Sequence, residues 1–220
     1  ENIENFAESL TTGASSQDFP DADGDITGLA PIGNSFGIFH KDSITIGWYS
    51  GAPFTFNFAV NKFKNIGALP NSVISIGDTA FFLNEKDIYA ITQGGVESIG
   101  HGIKNTFRDS LNFSALHKIR TAHDPQNGLI FWLYQTSSSS TNPDRILCYN
   151  YREKKWSHID IPAYTIFLMH TGAVSWDSID ALYPLGVESI PYSGDNSIWL
   201  SNASIIGCLD TADNRVATLS

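Results

Sequence analysis

The stretch "IGNSFGIFHKDSITI" (residues 32–46) recurs further along the chain as "IGDTAFFLNEKDIYA" (residues 76–90). The two align without a gap at an offset of 44 residues, and each has an apolar run on either side of a polar turn. Such a pattern predicts a β-hairpin, with the turns at residues 40–43 and 84–87. Units of several short strands that repeat every 40–50 residues are typical of propeller blades.

Two further hairpins are predicted from the same pattern. "GLIFWLY" (residues 128–134) and "RILCYNY" (residues 145–151) lie on either side of a polar loop, and "NSIWLSNASIIGCL" (residues 196–209) turns at residues 201–204. A strand that is apolar on both faces indicates an interior strand covered on both sides. We therefore expect the aromatic residues to form core and the serines at 137–140 to form a surface loop. A β-sandwich would space its turns more evenly, at about 8–12 residues.

The predicted fold is all-β, with propeller-like blades of short antiparallel strands and little helix. Short helical candidates occur at residues 1–10, 108–119 and 177–182. Residues 1–30 are predicted as an acidic, loop-rich leading segment and residues 31–220 as the propeller-like region. A repeat of 44 residues gives four to five blades, and closure of a propeller normally needs more material, so we expect a piece of a longer polypeptide.

The charge of the chain is −10 and is unevenly distributed. Seven acidic residues precede the first base, Lys41, and Arg215 is the only Lys or Arg after Trp156. Because affinity for nucleic acid depends on clustered Lys and Arg, we expect no tight DNA binding. The longest apolar run has about seven residues, against about 18 for a bilayer span, so no membrane segment is expected. Cys148 and Cys208 lie in apolar strand-like runs, which favours buried free thiols over a disulfide.

Two local motifs resemble known sites but lack their context. "GNSFG" (residues 33–37) fits the G-x-S-x-G pattern of a hydrolase nucleophile, yet a second β-run follows Ser35 where that motif requires a helix. "DADGD" (residues 21–25) would need a glycine and a glutamate where a calcium-binding loop has Ile26 and Ile32. We interpret the first as a turn before a strand and the second as a solvated acidic turn.

The remaining polar features also favour structural roles. The six histidines show no metal-binding spacing, and "YREKKW" (residues 151–156) is interpreted as a hairpin turn, with single-strand nucleic-acid binding as the alternative. Paired carboxylates of a glycosidase come from distant strands and are not identified by sequence. No catalytic, cofactor-binding or metal-binding residue is therefore predicted, and no cofactor. We expect a protein that is not an enzyme.

The order of motifs resembles the virion propeller proteins of tailed bacteriophages, a group that includes packaged-DNA stabilisation proteins and tail-nozzle proteins. The resemblance runs from "GLAPIGNSFGIFHKDSITIGWYSGAPFTFNF" through "AHDPQNGLIFWLYQ" and "PDRILCYNYREKKWS" to "WDSIDALYPLGVESIPYSG". The second and third of these are its most specific part. The resemblance implies a structural protein of the tail or portal vertex, located in the virion and assembled in the bacterial host cytoplasm. Its implied partners are portal or tail-tube proteins and further copies in a homo-oligomeric ring.

An alternative function remains open at this point. Propellers also serve as host-receptor adhesins that bind carbohydrate and as enzymes that hydrolyse glycans. The Asp-box turn of sialidase propellers is absent from the sequence, which lowers the second option. Neighbouring terminase, portal and tail genes would favour the virion role, and binding of glycans or release of sugar would favour the alternative.

Overall fold

The chain folds into consecutive antiparallel sheets in a computed structural model that describes residues 16–51, 55–139, 141–170, 184, 189, 204–211 and 215–219. Sheet 1 contains β1 (Ile26–Ile32), β2 (Ser35–His40), β3 (Ser43–Tyr49) and β4 (Phe56–Lys64). Sheet 2 contains β5 (Ile74–Ile76), β6 (Thr79–Leu83), β7 (Ile88–Thr92) and β8 (Gly95–Ser98). Sheet 3 contains β9 (Arg120–Asp124), β10 (Leu129–Tyr134), β11 (Arg145–Asn150) and β12 (Lys155–Asp160). Sheet 4 contains β13 (Ala163–His170), β14 (Ser204–Asp210) and β15 (Val216–Leu219).

The 44-residue repeat corresponds to equivalent hairpins in sheets 1 and 2. Ile32 pairs with Ser35 across the first turn, and Ile76 pairs with Thr79 across the second. Each two-residue turn begins with a glycine in the left-handed region, at φ +57° for Gly33 and +58° for Gly77. Glycine adopts this conformation without the steric cost that a side chain would add. The predicted hairpins with turns at residues 40–43, 84–87 and 135–144 are confirmed by the strand pairing.

Strand β10 is covered on both faces, as its sequence indicated. Ile130, Trp132 and Tyr134 enter the apolar cluster shared with sheet 2. Phe131 and Leu133 point the other way, into the cluster shared with sheet 4. Successive side chains of a strand alternate between faces, so an unbroken apolar run is required where a sheet lies between two others.

The sheets stack in sequence order. Apolar clusters fill the junctions between sheets 1 and 2, 2 and 3, and 3 and 4, and the first strands β1, β5, β9 and β13 of successive sheets contact one another. Each sheet is a simple meander in which neighbours in sequence are neighbours in space. Meanders packed face to face with their first strands together define an all-β, propeller-like fold.

Two short helices form the connection between sheets 2 and 3. The α-helix α1 spans Lys104–Ser110 and is followed by a 3-10 helix at Phe113–Lys118, so helix begins four residues before the predicted segment at 108–119. The other two helical candidates lie outside the described residues. No helix among the residues described reaches the length and apolarity of a membrane span.

Two sequence boundaries are placed differently by the structure. Strand β1 begins at Ile26, so the first blade starts inside the segment that was predicted to be loop-rich to residue 30. The hairpin predicted at 196–209 is wrong in its pairing: β14 covers the predicted second arm, but its two neighbours are β13 and β15, which leaves no edge for residues 196–200. The predicted first arm lies outside the described residues.

Candidate functional site

A cavity of about 360 Å³ lies between sheets 1 and 2, beside the β1–β2 and β7–β8 turns. Its apolar lining comes from Ile32, Ile46 and Phe63, which also belong to the junction between the two sheets. Its polar lining comprises Asn34, Ser35, Lys62, Thr92 and Gln93. An apolar base with a few convergent polar groups is the usual composition of a small-ligand pocket, so this cavity is the candidate site.

The polar side chains around the cavity are available to a ligand. Thr92 Oγ1 accepts a hydrogen bond from the Gly94 amide, 3.2 Å away. The side chains of Asn34, Ser35, Lys62 and Gln93 make no hydrogen bond to another described residue. A Cβ on Gly33 would collide with the side-chain amide of Gln93, so glycine at this position lets the two turns approach each other.

Ser35 has no hydrogen-bonded base among the described residues. The described lining of the cavity contains no histidine, carboxylate or thiol, and its one amine, Lys62, makes no hydrogen bond to the Ser35 hydroxyl. Ser35 is the first residue of β2 and pairs with Ile32 and Trp48. A strand therefore follows it, where a nucleophile elbow has a helix.

The acidic turn at residues 21–25 is fixed by its backbone groups. The Asp21 carbonyl accepts from the side-chain amide of Asn61, and the Asp25 carbonyl accepts from the Lys41 amide at 2.9 Å. The Asp23 amide donates to Ser43 Oγ at 3.3 Å. Through these contacts the turn packs against the β2–β3 hairpin and β4. The described residues contain no group of three or more His, Cys, Asp or Glu that could hold a metal ion.

The described histidine side chains differ in burial and partners. His40 is buried, with Nε2 3.2 Å from Thr45 Oγ1, and His123 Nε2 lies 3.2 Å from the Tyr151 hydroxyl. Burial lowers the pKa of His123, and the nearby Arg152 lowers it further, while Asp124 opposes both effects. The side chains of His101, His117 and His158 are exposed.

"YREKKW" forms the turn between β11 and β12. The Arg152 guanidinium donates to the carbonyls of Pro125 and Gln126 at 2.9 and 3.1 Å, which joins this turn to the β9–β10 turn. Lys155 pairs with Glu153 at 2.8 Å. Trp156 stacks on Tyr149 with ring centroids 4.3 Å apart, so its ring is engaged inside the protein.

The two cysteines are buried free thiols, which confirms the sequence prediction. Both belong to the cluster between sheets 3 and 4. Burial raises the pKa of each thiol, because a low-dielectric surrounding disfavours the thiolate.

Two features of these sites have no signal in the sequence. Lys62 and Gln93 meet at the cavity from separate sheets, and nothing in the local pattern of either residue indicates the other. Asp87 has the appearance of an ordinary turn residue, yet its buried carboxylate accepts from the Ile88 amide, from Ser98 Oγ and from Lys104 Nζ at 2.8, 2.8 and 3.1 Å. This carboxylate ties α1 to sheet 2.

Comparison with known proteins finds similarity among solved structures. No family model matches the chain. No curated protein matches it either. Among solved structures, the chain is similar to the Pan2 WD40 domain of Neurospora crassa, with a TM-score of 0.41 and 9% sequence identity. The match covers 89% of this chain and 50% of that chain, so the chain spans about half the length of this neighbour.

Proposed function

We propose that this chain is a structural, non-catalytic virion protein of a tailed bacteriophage, part of a ring at the tail nozzle or portal vertex that retains packaged DNA. The proposal rests on the resemblance in motif order described above. Its partners would be portal or tail-tube proteins, and it would be located in the virion.

The main support for the proposal is the structural role of the residues in the two most specific motifs, "AHDPQNGLIFWLYQ" and "PDRILCYNYREKKWS". Asp124 Oδ1 accepts from the amides of Gln126 and Asn127, and Asn150 Oδ1 accepts from those of Arg152 and Glu153. Both residues therefore close turns of sheet 3. The apolar residues of the same motifs fill the clusters on either side of that sheet. Motifs made of turn and core residues support a role in assembly over one in catalysis.

Hydrogen bonds between the blades also support a structural role. Trp156 Nε1 donates to the Ile99 carbonyl at 3.0 Å, and Thr121 Oγ1 donates to the Asn71 carbonyl at 2.8 Å. Ser75 Oγ donates to the Pro31 carbonyl at 2.9 Å, which joins sheets 1 and 2. Directional bonds at the blade junctions help to fix the position of each sheet relative to the next, which is consistent with a structural role.

Immunoelectron microscopy tests the virion role. Antibodies raised against the 220-residue chain would be applied to particles from a phage or induced prophage that carries the gene. We expect gold label at the tail vertex and a band of this protein in purified particles. Antibody against the major capsid protein serves as the control for labelling. A protein that is found only in the lysate and never in particles would overturn the proposal.

A carbohydrate-binding propeller is the second candidate, and the cavity between sheets 1 and 2 is the observation that favours it. Amide, hydroxyl and ammonium groups of Asn34, Ser35, Lys62 and Gln93 converge there over an apolar base. Hydroxyl-rich ligands suit such a set of donors and acceptors. Binding to a glycan array that is lost in Gln93→Ala and Lys62→Ala, and kept in Lys86→Ala at the exposed β6–β7 turn, would establish this function. An array without signal would eliminate it.

A further inference from the structure

The cavity between sheets 1 and 2 has one positive charge and no negative charge among its described lining residues. Lys62 supplies its one ammonium group, and its other polar lining residues are uncharged: Asn34, Ser35, Thr92 and Gln93. None of the ion pairs between described residues involves Lys62. An ammonium group that no protein carboxylate neutralises attracts an anion, so the charge of this cavity favours an anionic ligand.

The internal repeat shows how the cavity comes to lack a carboxylate. At the offset of 44 residues, the amide of Asn34 stands where the turn of sheet 2 has the carboxylate of Asp78. Glu97 of β8 lies on the opposite face of sheet 2, because its neighbour Val96 packs into the junction with sheet 1. Burial raises the pKa of Tyr149 in sheet 3, and the Glu97 carboxylate raises it further, which places Glu97 on that side.

A β-bulge in β4 sets the position of Lys62. Residues 60–62 of β4 lie opposite the single residue Thr45 of β3, and Asn61 has a φ of +50°. The Asn61 amide donates to the buried Thr45 hydroxyl at 3.3 Å, which holds the bulge in place. A bulge interrupts the alternation of faces, so the consecutive residues Lys62 and Phe63 both line the cavity.

The Gln93 amide reaches the cavity through a close approach at Gly33. A Cβ on Gly33 would come within 2.4 Å of Gln93 Nε2, whereas a Cβ on Gly77, the equivalent glycine of the repeat, would meet nothing within 4 Å. The contact therefore belongs to this junction and not to the type of turn. It brings the amides of Gln93 and Asn34 to the same cavity from separate sheets.

We propose that this cavity binds a small acidic sugar with a single negative charge, whose anionic group lies at Lys62. One ammonium balances the charge of one carboxylate or sulfate ester, whereas a phosphate monoester brings about −1.5 to −2. Side-chain amides and hydroxyls of the lining would bind the sugar hydroxyls, and Ile46 and Phe63 would contact the C–H groups of the ring.

The size of the cavity limits the ligand to a short saccharide. Its volume of about 360 Å³ is near the lower end of the range of about 300–1,000 Å³ that small-molecule pockets have. The inference rests on the carbohydrate-binding function proposed above and adds the class of sugar. It does not depend on the virion role.

Isothermal titration calorimetry tests the inference with matched acidic and neutral sugars. The acidic probes are the methyl glycosides of glucuronic acid, galacturonic acid and galactose 6-sulfate, and the neutral probes are those of glucose and galactose. We expect at least one acidic probe to bind at least tenfold more tightly than its neutral counterpart. The uronic acids and the sulfate ester distinguish the two kinds of anionic group. Equal affinities within every pair would overturn the inference.

Three variants assign the preference to the charge of the cavity. Lys62→Met should weaken binding of the acidic probe at least tenfold and leave the neutral counterpart within twofold. Lys64→Met is the matched control, since Lys64 is an exposed lysine of the same strand outside the cavity lining, and it should change the affinity less than threefold. Asn34→Asp introduces the residue that the repeat has at position 78 and should abolish the preference for acid. Circular dichroism would verify that each variant is folded.

The variants and the glycan array together separate failure of this inference from failure of the carbohydrate-binding function. An acid preference that survives Lys62→Met would overturn the inference. Equal binding of acidic and neutral sugars would leave the carbohydrate-binding function standing and overturn the inference alone. An array without signal, together with titrations without heat, would overturn both. None of these results would alter the labelling of virions.

Discussion

Trp132 and Ser72 are 60 positions apart in sequence and joined by a hydrogen bond, in which the indole Nε1 donates to the Ser72 carbonyl at 2.8 Å. The Ser72 hydroxyl donates in turn to the Leu69 carbonyl at 2.7 Å and accepts from the Leu83 amide at 3.3 Å. These bonds attach the interior strand of sheet 3 to the segment that leads into sheet 2. All the groups involved are buried away from water, so each of them needs a hydrogen-bond partner within the protein.

Replacing Trp132 by Phe should destabilise the fold by about 2–4 kcal/mol, because the Ser72 carbonyl loses its donor and a void remains beside it. Trp156→Phe is the matched control, since it removes an equivalent Nε1 hydrogen bond, to the Ile99 carbonyl, from a half-buried ring. Its cost should be about 1 kcal/mol. Urea unfolding followed by circular dichroism measures both, and equal losses would show that burial of Trp132 contributes nothing beyond its bond.

The loop that contains the serines is on the surface, as expected, but it is ordered by its own hydrogen bonds. The Asp144 carboxylate accepts from the Thr136 amide at 2.7 Å and from its hydroxyl at 2.6 Å, and Ser139 Oγ donates to the Asn142 carbonyl at 2.7 Å. Asp144→Ala should therefore cost about 1–3 kcal/mol. Ser137→Ala should be nearly neutral, because the hydroxyl of Ser137 makes no hydrogen bond to a described residue. The difference in urea midpoint checks the pair, and no difference would mean that the loop is held from elsewhere.

Gly67 lies against the backbone of the β2–β3 turn. A Cβ at this position would collide with the carbonyls of Lys41 and His40. Backbone cannot rotate away as a side chain can, so Gly67→Ala should cost about 1–3 kcal/mol or more. Gly94→Ala is the control, since its Cβ would have an ordinary contact of 3.5 Å with Thr92 Oγ1. A thermal shift assay should show a lower melting temperature for the first variant alone.

The interior hairpins could be predicted from the sequence, whereas the edge strands β4 and β9 could not. The runs around Phe39, Phe82 and Phe131 are apolar on both faces, and that pattern follows directly from burial between sheets. Strand β9 has the sequence "RTAHD", which lacks the alternation of a strand. It is extended in the structure because it pairs with β10. The long outer strand β4 was likewise not predicted, since one side of it faces solvent. Contacts such as Trp132 to Ser72 depend on how blades stack, which local periodicity does not encode.

Cys148 and Cys208 should react slowly with thiol reagents in the folded protein. Burial raises the pKa of both thiols, so the folded state resists ionisation more than the unfolded state does. The associated stability is therefore complete at neutral pH and is lost as pH rises beyond the ordinary thiol range, about 8.5. Ellman's reagent at pH 8 should modify both cysteines in denaturant and neither within minutes without it. Rapid modification of the native protein would contradict this, and Cys148→Ala identifies the thiol concerned.

The isolated chain should show no measurable binding to duplex DNA at about 150 mM salt, where ordinary non-specific binders have dissociation constants of about 10⁻⁴–10⁻⁶ M. The chain has 13 Lys and Arg against 23 Asp and Glu. Its most basic motif has only three bases, Arg152, Lys154 and Lys155, of which Lys155 pairs with Glu153, and so few phosphate contacts give little affinity at this salt concentration. Under the proposed virion role, weak binding would suit passage of DNA, because like charge repels phosphate. Fluorescence anisotropy with a labelled duplex measures the affinity, and a sub-micromolar dissociation constant that Arg152→Ala weakens would reassign the β11–β12 turn as a nucleic-acid contact.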